Sequence, residues 1–144
     1  FVVGIYSYTL KSLASNIGVN VTFTGHKTGE ELAELFMVAD IFVLPSLGGL
    51  AIQQAMSYGL PVVVSEGDGT ELDLVVEGYN GCLFESGDFD SMVRAIDLLI
   101  DGDHFKNKGH NSQELINNKI NIDSMVNSYL SVLTTSYPQK DRRL

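Results

Sequence analysis

The sequence is poor in several residue types that characterise other classes of protein. Its 144 residues include one cysteine, no tryptophan, and nine lysines and arginines against 18 aspartates and glutamates. The lone Cys82 cannot form an internal disulfide; such a residue is more often buried and apolar, and it favours a reducing compartment. No metal-ligand framework is present. The net charge of -9 opposes nucleic-acid binding, which needs clustered cations.

Long apolar runs and a recognisable leader are also absent. No run of about 18 apolar residues predicts a transmembrane span, and the opening FVVGIYSYTL has no basic region or cleavage site. We expect a soluble cytoplasmic protein with one domain over residues 1–137 and a tail over residues 138–144. The tail carries Lys140, Arg142 and Arg143. It is solvated, or alternatively it makes a weak contact with the inner face of an anionic membrane.

Strand-type and helix-type patterns alternate along the chain. Strands are predicted over residues 1–5, 19–24, 41–44, 61–64 and 82–84, and helices over residues 9–17, 28–39, 50–58, 70–76 and 86–101, with two more within 104–137. Thr28 and Glu31 form a capping-box pattern. The alternation predicts an α/β fold, a Rossmann-like parallel sheet with helices on both faces, in which ligands bind at the carboxyl ends of the strands.

The stretch Ala39 to Glu66, ADIFVLPSLGGLAIQQAMSYGLPVVVSE, contains two buried-strand patterns around a glycine-opened helix. Gly48 and Gly49 stand where the first free N–H groups of that helix begin, and without a Cβ they let a ligand approach the backbone. A phosphate or a sugar hydroxyl could bind there. The alternative interpretation is that the two glycines only make a tight turn.

Four motifs in order carry a resemblance to a known family. They are the F-x-G turn of Phe23 to Gly25, the A-D-x-F-V-L-P-S run of residues 39–46, the A-M-x-x-G-x-P-V-V run of residues 55–63, and E-G-x-N-G over residues 77–81. Together they resemble the nucleotide-sugar-binding half of GT-B glycosyltransferases of the retaining family 4 type. The resemblance covers nearly the whole chain and implies one half of a GT-B fold.

The chain departs from the family at a pair of glutamates. The positions that match them are Ser46, which lies near the donor sugar in the family pattern, and Gln54, which faces the ribose hydroxyls. Gln54 keeps an acceptor oxygen but loses the charge, so a charge-assisted bond becomes a neutral one of roughly half the strength. We interpret the change as a subfamily character rather than as loss of activity.

The resemblance implies a donor-binding site without a metal or cofactor, since the nucleotide-diphosphate sugar is the substrate. The residues it assigns to donor binding are Gly25, His26, Ser46, Gly48, Gly49, Leu50, Gln54 and Glu71. No catalytic nucleophile is expected among them, and backbone N–H groups of Gly49 and Leu50 would stabilise the leaving diphosphate. His26 is more plausibly solvent-facing, and Gln54 has the alternative of an ordinary exposed helix residue. Glu71 either complements a helix dipole or lies near the donor.

The resemblance further implies that the chain is truncated at its N-terminal side. The family pattern has an upstream strand and a loop with an Arg and a Lys that bind the diphosphate, and an N-terminal domain that binds a saccharide or lipid-linked acceptor. We therefore expect this chain alone to lack transferase activity. The parent would act in polysaccharide or glycoconjugate assembly. Two alternatives stay open: a sugar-nucleotide epimerase of the same fold, and a non-catalytic nucleotide-sugar-binding module.

Overall fold

The computed structural model describes residues 1–4, 8–101 and 105–136, and its contacts divide the chain into two compact units, Phe1–Ala39 and Asp40–Leu144. The first unit contains β1 (Val2–Val3), α1 (Tyr8–Ile17), β2 (Phe23–Gly25) and α2 (Gly29–Val38). The second contains β3 (Phe42–Leu44), α3 (Gly49–Ser57), β4 (Val62–Ser65), α4 (Thr70–Leu74), β5 (Gly81–Phe84), α5 (Phe89–Ile100), α6 (Phe105–Asn118) and α7 (Ile122–Ser136).

The first unit is built on a short parallel pair of strands. Val2 lies opposite Phe23 in β2, and the hydroxyl of Thr24 donates to the carbonyl of Val2 (3.3 Å). Both strands are shorter than the sequence pattern predicts, and Ile5 lies outside the described residues. Phe1 is 65% exposed.

The predicted capping box at the start of α2 is absent. Thr28 occupies the N-cap position with an extended backbone, but its side chain makes no capping hydrogen bond. Glu31 instead accepts a hydrogen bond from Lys27, four residues earlier, in an ion pair. The carboxylate that the capping box needs is therefore engaged by a lysine that precedes the helix.

The second unit contains a three-stranded parallel sheet in the order β3-β4-β5. Leu44 lies opposite Val64, and Ser65 lies opposite Phe84. The predicted α/β class with parallel strands is confirmed, although the strands form two sheets instead of the single one expected. Each predicted helix of this unit is present, with ends that differ by up to three residues.

Both faces of the three-stranded sheet are covered. On one face Val63, Cys82 and Phe84 pack with Ala95 and Leu99 of α5 in a buried cluster. Since side chains alternate along a strand, Val62 and Val64 point to the opposite face, where both are fully buried. Helix α3 contacts β3 and β4 and buries Ile52, Ala55 and Met56.

Helix α5 buries only part of its apolar surface. Leu99 is fully buried, whereas Val93 and Ile100 are 51% and 52% exposed. A helix on a three-stranded sheet buries a narrow stripe, and apolar residues about 100° to either side of it remain in solvent.

Helix α6 packs closely on the end of α3. A Cβ at Gly109 would collide with the carbonyl oxygen of Gly59, and Gly59 itself has a left-handed φ of +75° that ends α3. Two helices were predicted in this region, and α6 and α7 are those helices; His104, Tyr137 and Pro138 lie outside the described residues.

Among the described helices, none has the length and apolar character to cross a membrane.

Candidate functional site

The carboxyl ends of β3 and β4 place two loops side by side. Because β3 and β4 are parallel and paired in register, residues 45–48 after β3 and residues 66–69 after β4 leave the same edge of the sheet. These loops lead into α3 and α4 respectively. Parallel α/β sheets bind ligands at such an edge, so the structure brings the central part of the predicted site to the expected place.

The first turn of α3 presents backbone N–H groups. The N–H groups of Ala51 and Ile52 donate to the carbonyl of Gly48 (3.0 and 3.2 Å), and Gly48 is the N-cap without a side-chain capping bond. The N–H groups of Gly49 and Leu50, which come before these two, have no acceptor within the helix because no helical carbonyl precedes them. The Leu50 side chain is 82% exposed. This end of α3 is suited to bind an anion.

Packing against α4 favours glycine at position 49. A Cβ added at Gly49 would stand 2.5 Å from Cγ2 of Thr70 and 4.0 Å from Cδ1 of Leu74. The space that a side chain would need is therefore filled by α4. Besides ligand approach and turn geometry, this contact is a third reason for a glycine here, and only the fold reveals it.

The two loops also contact each other through Leu47 and Gly67. A Cβ at Gly67 would overlap Cδ2 of Leu47, so the leucine side chain lies directly on the glycine backbone. Leu47 is nevertheless 63% exposed. The loop after β3 thus contacts the loop after β4 through Leu47 and Gly67, and the start of α3 contacts the start of α4 through Gly49 and Thr70.

Glu71 organises the loop after β4. Its side chain is 5% exposed, and its Oε1 accepts hydrogen bonds from the N–H groups of Gly67 (2.6 Å) and Gly69 (3.2 Å). Hydrogen bonds from its own N–H and from those of Gly67 and Gly69 hold the pKa of the Glu71 carboxyl below its usual value. The carboxylate is therefore ionised at neutral pH.

Asp68 adds a second carboxylate to this loop. Its Oδ1 accepts a hydrogen bond from the Thr70 N–H (3.0 Å), and hydrogen bonds from the Thr70 side chain and backbone lower the pKa of Asp68. Glu66 in the same loop is exposed. The loop thus carries negative charge, so the cations that would neutralise a bound diphosphate are not supplied by it.

The positions that match the family's glutamates lie on the surface. Ser46 is exposed in the loop after β3, and Gln54 is exposed on α3. The backbone carbonyl of Gln54 accepts a hydrogen bond from the Ser57 hydroxyl (2.7 Å). Their exposure is compatible with ligand contact and equally with the alternative of ordinary surface residues.

Gly25 and His26 lie in the first unit. Gly25 ends β2 with a left-handed φ of +77°, and its carbonyl accepts a hydrogen bond from the Gly4 N–H (2.9 Å). His26 is exposed, as the solvent-facing interpretation predicts. The other six predicted donor-binding residues lie in the second unit.

Asn80 is a structurally central residue that sequence reasoning did not single out. It is fully buried; its Oδ1 accepts a hydrogen bond from the Val76 N–H (2.7 Å) and its Nδ2 donates to the Leu74 carbonyl (3.0 Å). Glu77 of the same E-G-x-N-G motif accepts a hydrogen bond from the Leu83 N–H (2.9 Å). The motif therefore anchors the connection between α4 and β5, and the available signal was its asparagine next to a glycine.

The fold and this edge together define a class of protein: a parallel α/β, Rossmann-like domain with an open helix N-terminus at the carboxyl ends of its strands. The chain belongs to the family of glycosyl transferases group 1, whose model matches residues 1–121. The family resemblance noted from the four motifs is confirmed.

Individual relatives support this assignment. The chain is 36% identical over 103 residues to sulfoquinovosyl transferase SQD2 of Arabidopsis thaliana. The matched region covers 67% of this chain and 20% of the relative. It is 30% identical over 129 residues to the uncharacterized glycosyltransferase MJ1069 of Methanocaldococcus jannaschii, covering 85% of this chain and 33% of the relative. The chain thus spans a third or less of these two proteins.

A solved structure shows the same fold. Anabaena Alr3699/HepE in complex with UDP superposes with a TM-score of 0.74 at 22% identity, over 92% of this chain and 40% of that one. The Rossmann-like architecture expected for half of a GT-B fold is therefore confirmed.

Proposed function

We propose that this chain is the donor-binding part of a retaining glycosyltransferase. The complete protein transfers a sugar from a nucleotide-diphosphate donor to a saccharide or lipid-linked acceptor in polysaccharide or glycoconjugate assembly. The observation that carries the proposal is the uncapped first turn of α3 at the carboxyl edge of the sheet, in a chain whose family match spans residues 1–121. The UDP in the HepE structure is the kind of ligand that such a site takes.

The proposed roles follow from the chemistry of each group. The N–H groups of Gly49 and Leu50 bind the diphosphate and stabilise the charge that develops as it leaves. Gln54 accepts a hydrogen bond from a ribose hydroxyl, and Ser46 lies beside the donor sugar. Backbone groups at Gly25 and His26 contact the nucleobase, as the family resemblance implies.

The reaction needs no metal or cofactor in this proposal. The leaving diphosphate is stabilised by helix N–H groups together with an Arg and a Lys expected upstream, as the family resemblance implies. We place the reaction in the cytoplasm, at the inner face of the membrane when the acceptor is lipid-linked. The buried free Cys82 supports a reducing compartment.

One observation favours a second candidate, a nucleotide-sugar-binding module without transfer activity. The positions of both family glutamates, Ser46 and Gln54, carry no carboxylate and are exposed. A site that has lost both charges could keep donor binding for assembly or regulation.

Nucleotide titration and product analysis test these proposals. UDP, GDP and ADP are titrated separately into the complete protein while its thermal stability is followed; one of them should raise Tm in a saturable manner. Absence of any shift in an intact protein would refute donor binding. Turnover to a product with the anomeric configuration of the donor supports the transferase, whereas binding without turnover supports the module, and interconversion of free sugar nucleotides supports an epimerase.

A further inference from the structure

We propose that Glu71 is a positioning residue that holds the first turn of α3 in its anion-binding arrangement. This inference rests on the proposed donor site and adds a residue whose action on the ligand is indirect. Glu71 acts through the loop after β4, which its carboxylate orders and which in turn packs on the loop that opens α3.

The first link is the hydrogen bonding of the carboxylate. The N–H groups of Gly67 and Gly69 both donate to the same Oε1 of Glu71. Gly69 has a left-handed φ of +94°, so the loop turns sharply between the two donors. A single buried acceptor therefore fixes the shape of a glycine-rich loop that would otherwise have many accessible conformations.

The second link is the pair of contacts between loops. Gly67 lies under the Leu47 side chain, so its position fixes the loop that precedes α3. Thr70, next to Glu71 at the start of α4, lies against Gly49. Because neither contact leaves room for a Cβ, we expect a shift of the loop after β4 to be transmitted in part to the first turn of α3.

The burial of Glu71 makes a direct role less suitable. A carboxylate that is 5% exposed and engaged by two backbone donors cannot bind a diphosphate, because like charges repel. Its carboxylate instead accepts hydrogen bonds from backbone N–H groups and orders the loop that carries them. The residue thus contributes to donor binding by geometry, and its removal should weaken binding without removing a ligand contact.

The test compares Glu71→Ala and Glu71→Gln with Glu66→Gln in the complete protein. Glu66 is the matched control, since it is an exposed carboxylate in the same loop whose backbone N–H donates to Phe84. UDP, GDP and ADP are titrated into each variant and donor KM and kcat are measured. We expect Glu71→Ala to raise the dissociation constant of the bound nucleotide about tenfold, and Glu71→Gln, which keeps an acceptor oxygen, about threefold. Glu66→Gln should leave it within twofold.

The kinetic pattern separates positioning from chemistry. Because the first turn of α3 is proposed both to bind the diphosphate and to stabilise the charge that develops on it, a misplaced first turn should raise donor KM about tenfold and lower kcat by about tenfold or less. A fall in kcat of a hundredfold at unchanged KM would overturn the proposal in favour of a direct role in the reaction. Unchanged affinity in a folded Glu71→Ala variant would also overturn it.

Amide hydrogen exchange provides a readout that does not depend on any ligand. In Glu71→Ala the Gly67 and Gly69 amides and those of Ala51 and Ile52, which donate to the Gly48 carbonyl, should exchange about tenfold faster, while those of β5 stay unchanged. Faster exchange confined to Gly67 and Gly69 would refute the link to α3. If none of the three nucleotides binds the wild-type protein, the donor-site proposal fails, and exchange at Ala51 and Ile52 still decides whether Glu71 positions this turn.

Discussion

The contact between Gly49 and Thr70 leads to a quantitative prediction. In Gly49→Ala the new Cβ would stand 2.5 Å from Cγ2 of Thr70 and 3.5 Å from its Cβ. The clash is with a γ-methyl group on an exposed side chain, so rotation of that side chain or a small shift of α4 can relieve it. Overpacking costs about 1–3 kcal/mol and an off-rotamer side chain about 0.5–1.5 kcal/mol. We expect Gly49→Ala to lower the free energy of unfolding by about 1–2 kcal/mol, within these ranges.

A second substitution should restore most of this loss. Thr70→Ser removes the clashing methyl group and keeps the hydroxyl, so the double variant should regain about 1 kcal/mol relative to the sum of the single variants. Gly48→Ala is the matched control. Its Cβ would meet the flexible end of Leu44 at 3.1 Å, with an extended φ of 164°, and we expect a change within about 0.5 kcal/mol.

Urea unfolding followed by circular dichroism measures these effects, since the chain has no tryptophan. If Gly49→Ala is as stable as the wild type, or if its loss does not depend on the residue at position 70, the packing explanation for Gly49 is refuted. The nucleotide affinity of the double variant then adds a functional test. Normal stability with lost affinity would mean that the glycine also serves ligand approach.

Three further predictions follow from buried groups. Asn80→Ala should lower the free energy of unfolding by about 2–4 kcal/mol, because the part-buried N–H of Val76 and the buried carbonyl of Leu74 each lose their partner. Asn111→Ala, which removes one exposed hydrogen bond, should cost less than about 1 kcal/mol. Burial raises the pKa of the Cys82 thiol to about 11, so iodoacetamide at pH 8 should label it only after unfolding in urea; rapid labelling of the native protein would contradict its burial. The pKa of Glu71 is lowered in the folded state. Ionised Glu71 therefore stabilises the fold above its unfolded pKa, and this contribution is lost as pH falls through the folded pKa. Urea unfolding between pH 7 and pH 3 should show a smaller loss of stability in Glu71→Gln than in the wild type.

The class of fold could be predicted from the sequence because its signals are local. Continuous apolar runs such as Phe42 to Leu44 and Val62 to Val64 mark strands buried on both faces, and glycines mark the ends of the elements between them. Strand lengths in the first unit were overestimated. Apolar residues such as Phe1 and Val19 match a strand pattern, but they stay exposed, so pattern alone could not fix the strand ends.

The candidate site was predicted only in its position. The glycines and the carboxyl end of β3 located the anion-binding turn, and the family motifs added Ser46, Gln54 and Glu71. The burial of Glu71 and its bonds to Gly67 and Gly69 depend on how the loop folds back on α4. A glutamate in a glycine-rich stretch carries no sequence signal for being buried, since most glutamates are exposed.

The sequence by itself thus determined the alternation of strands and helices, the parallel sheet, the glycine-opened helix and the family. These depend on hydrophobic periodicity and on residue types at fixed spacing, which are properties of neighbouring positions. Only the tertiary structure decided that Gly49 lies against Thr70, that Leu47 lies on Gly67, and that one buried carboxylate orders the loop between them. The two packing contacts join residues about 20 positions apart, and they arise from the packing of whole elements rather than from any local pattern.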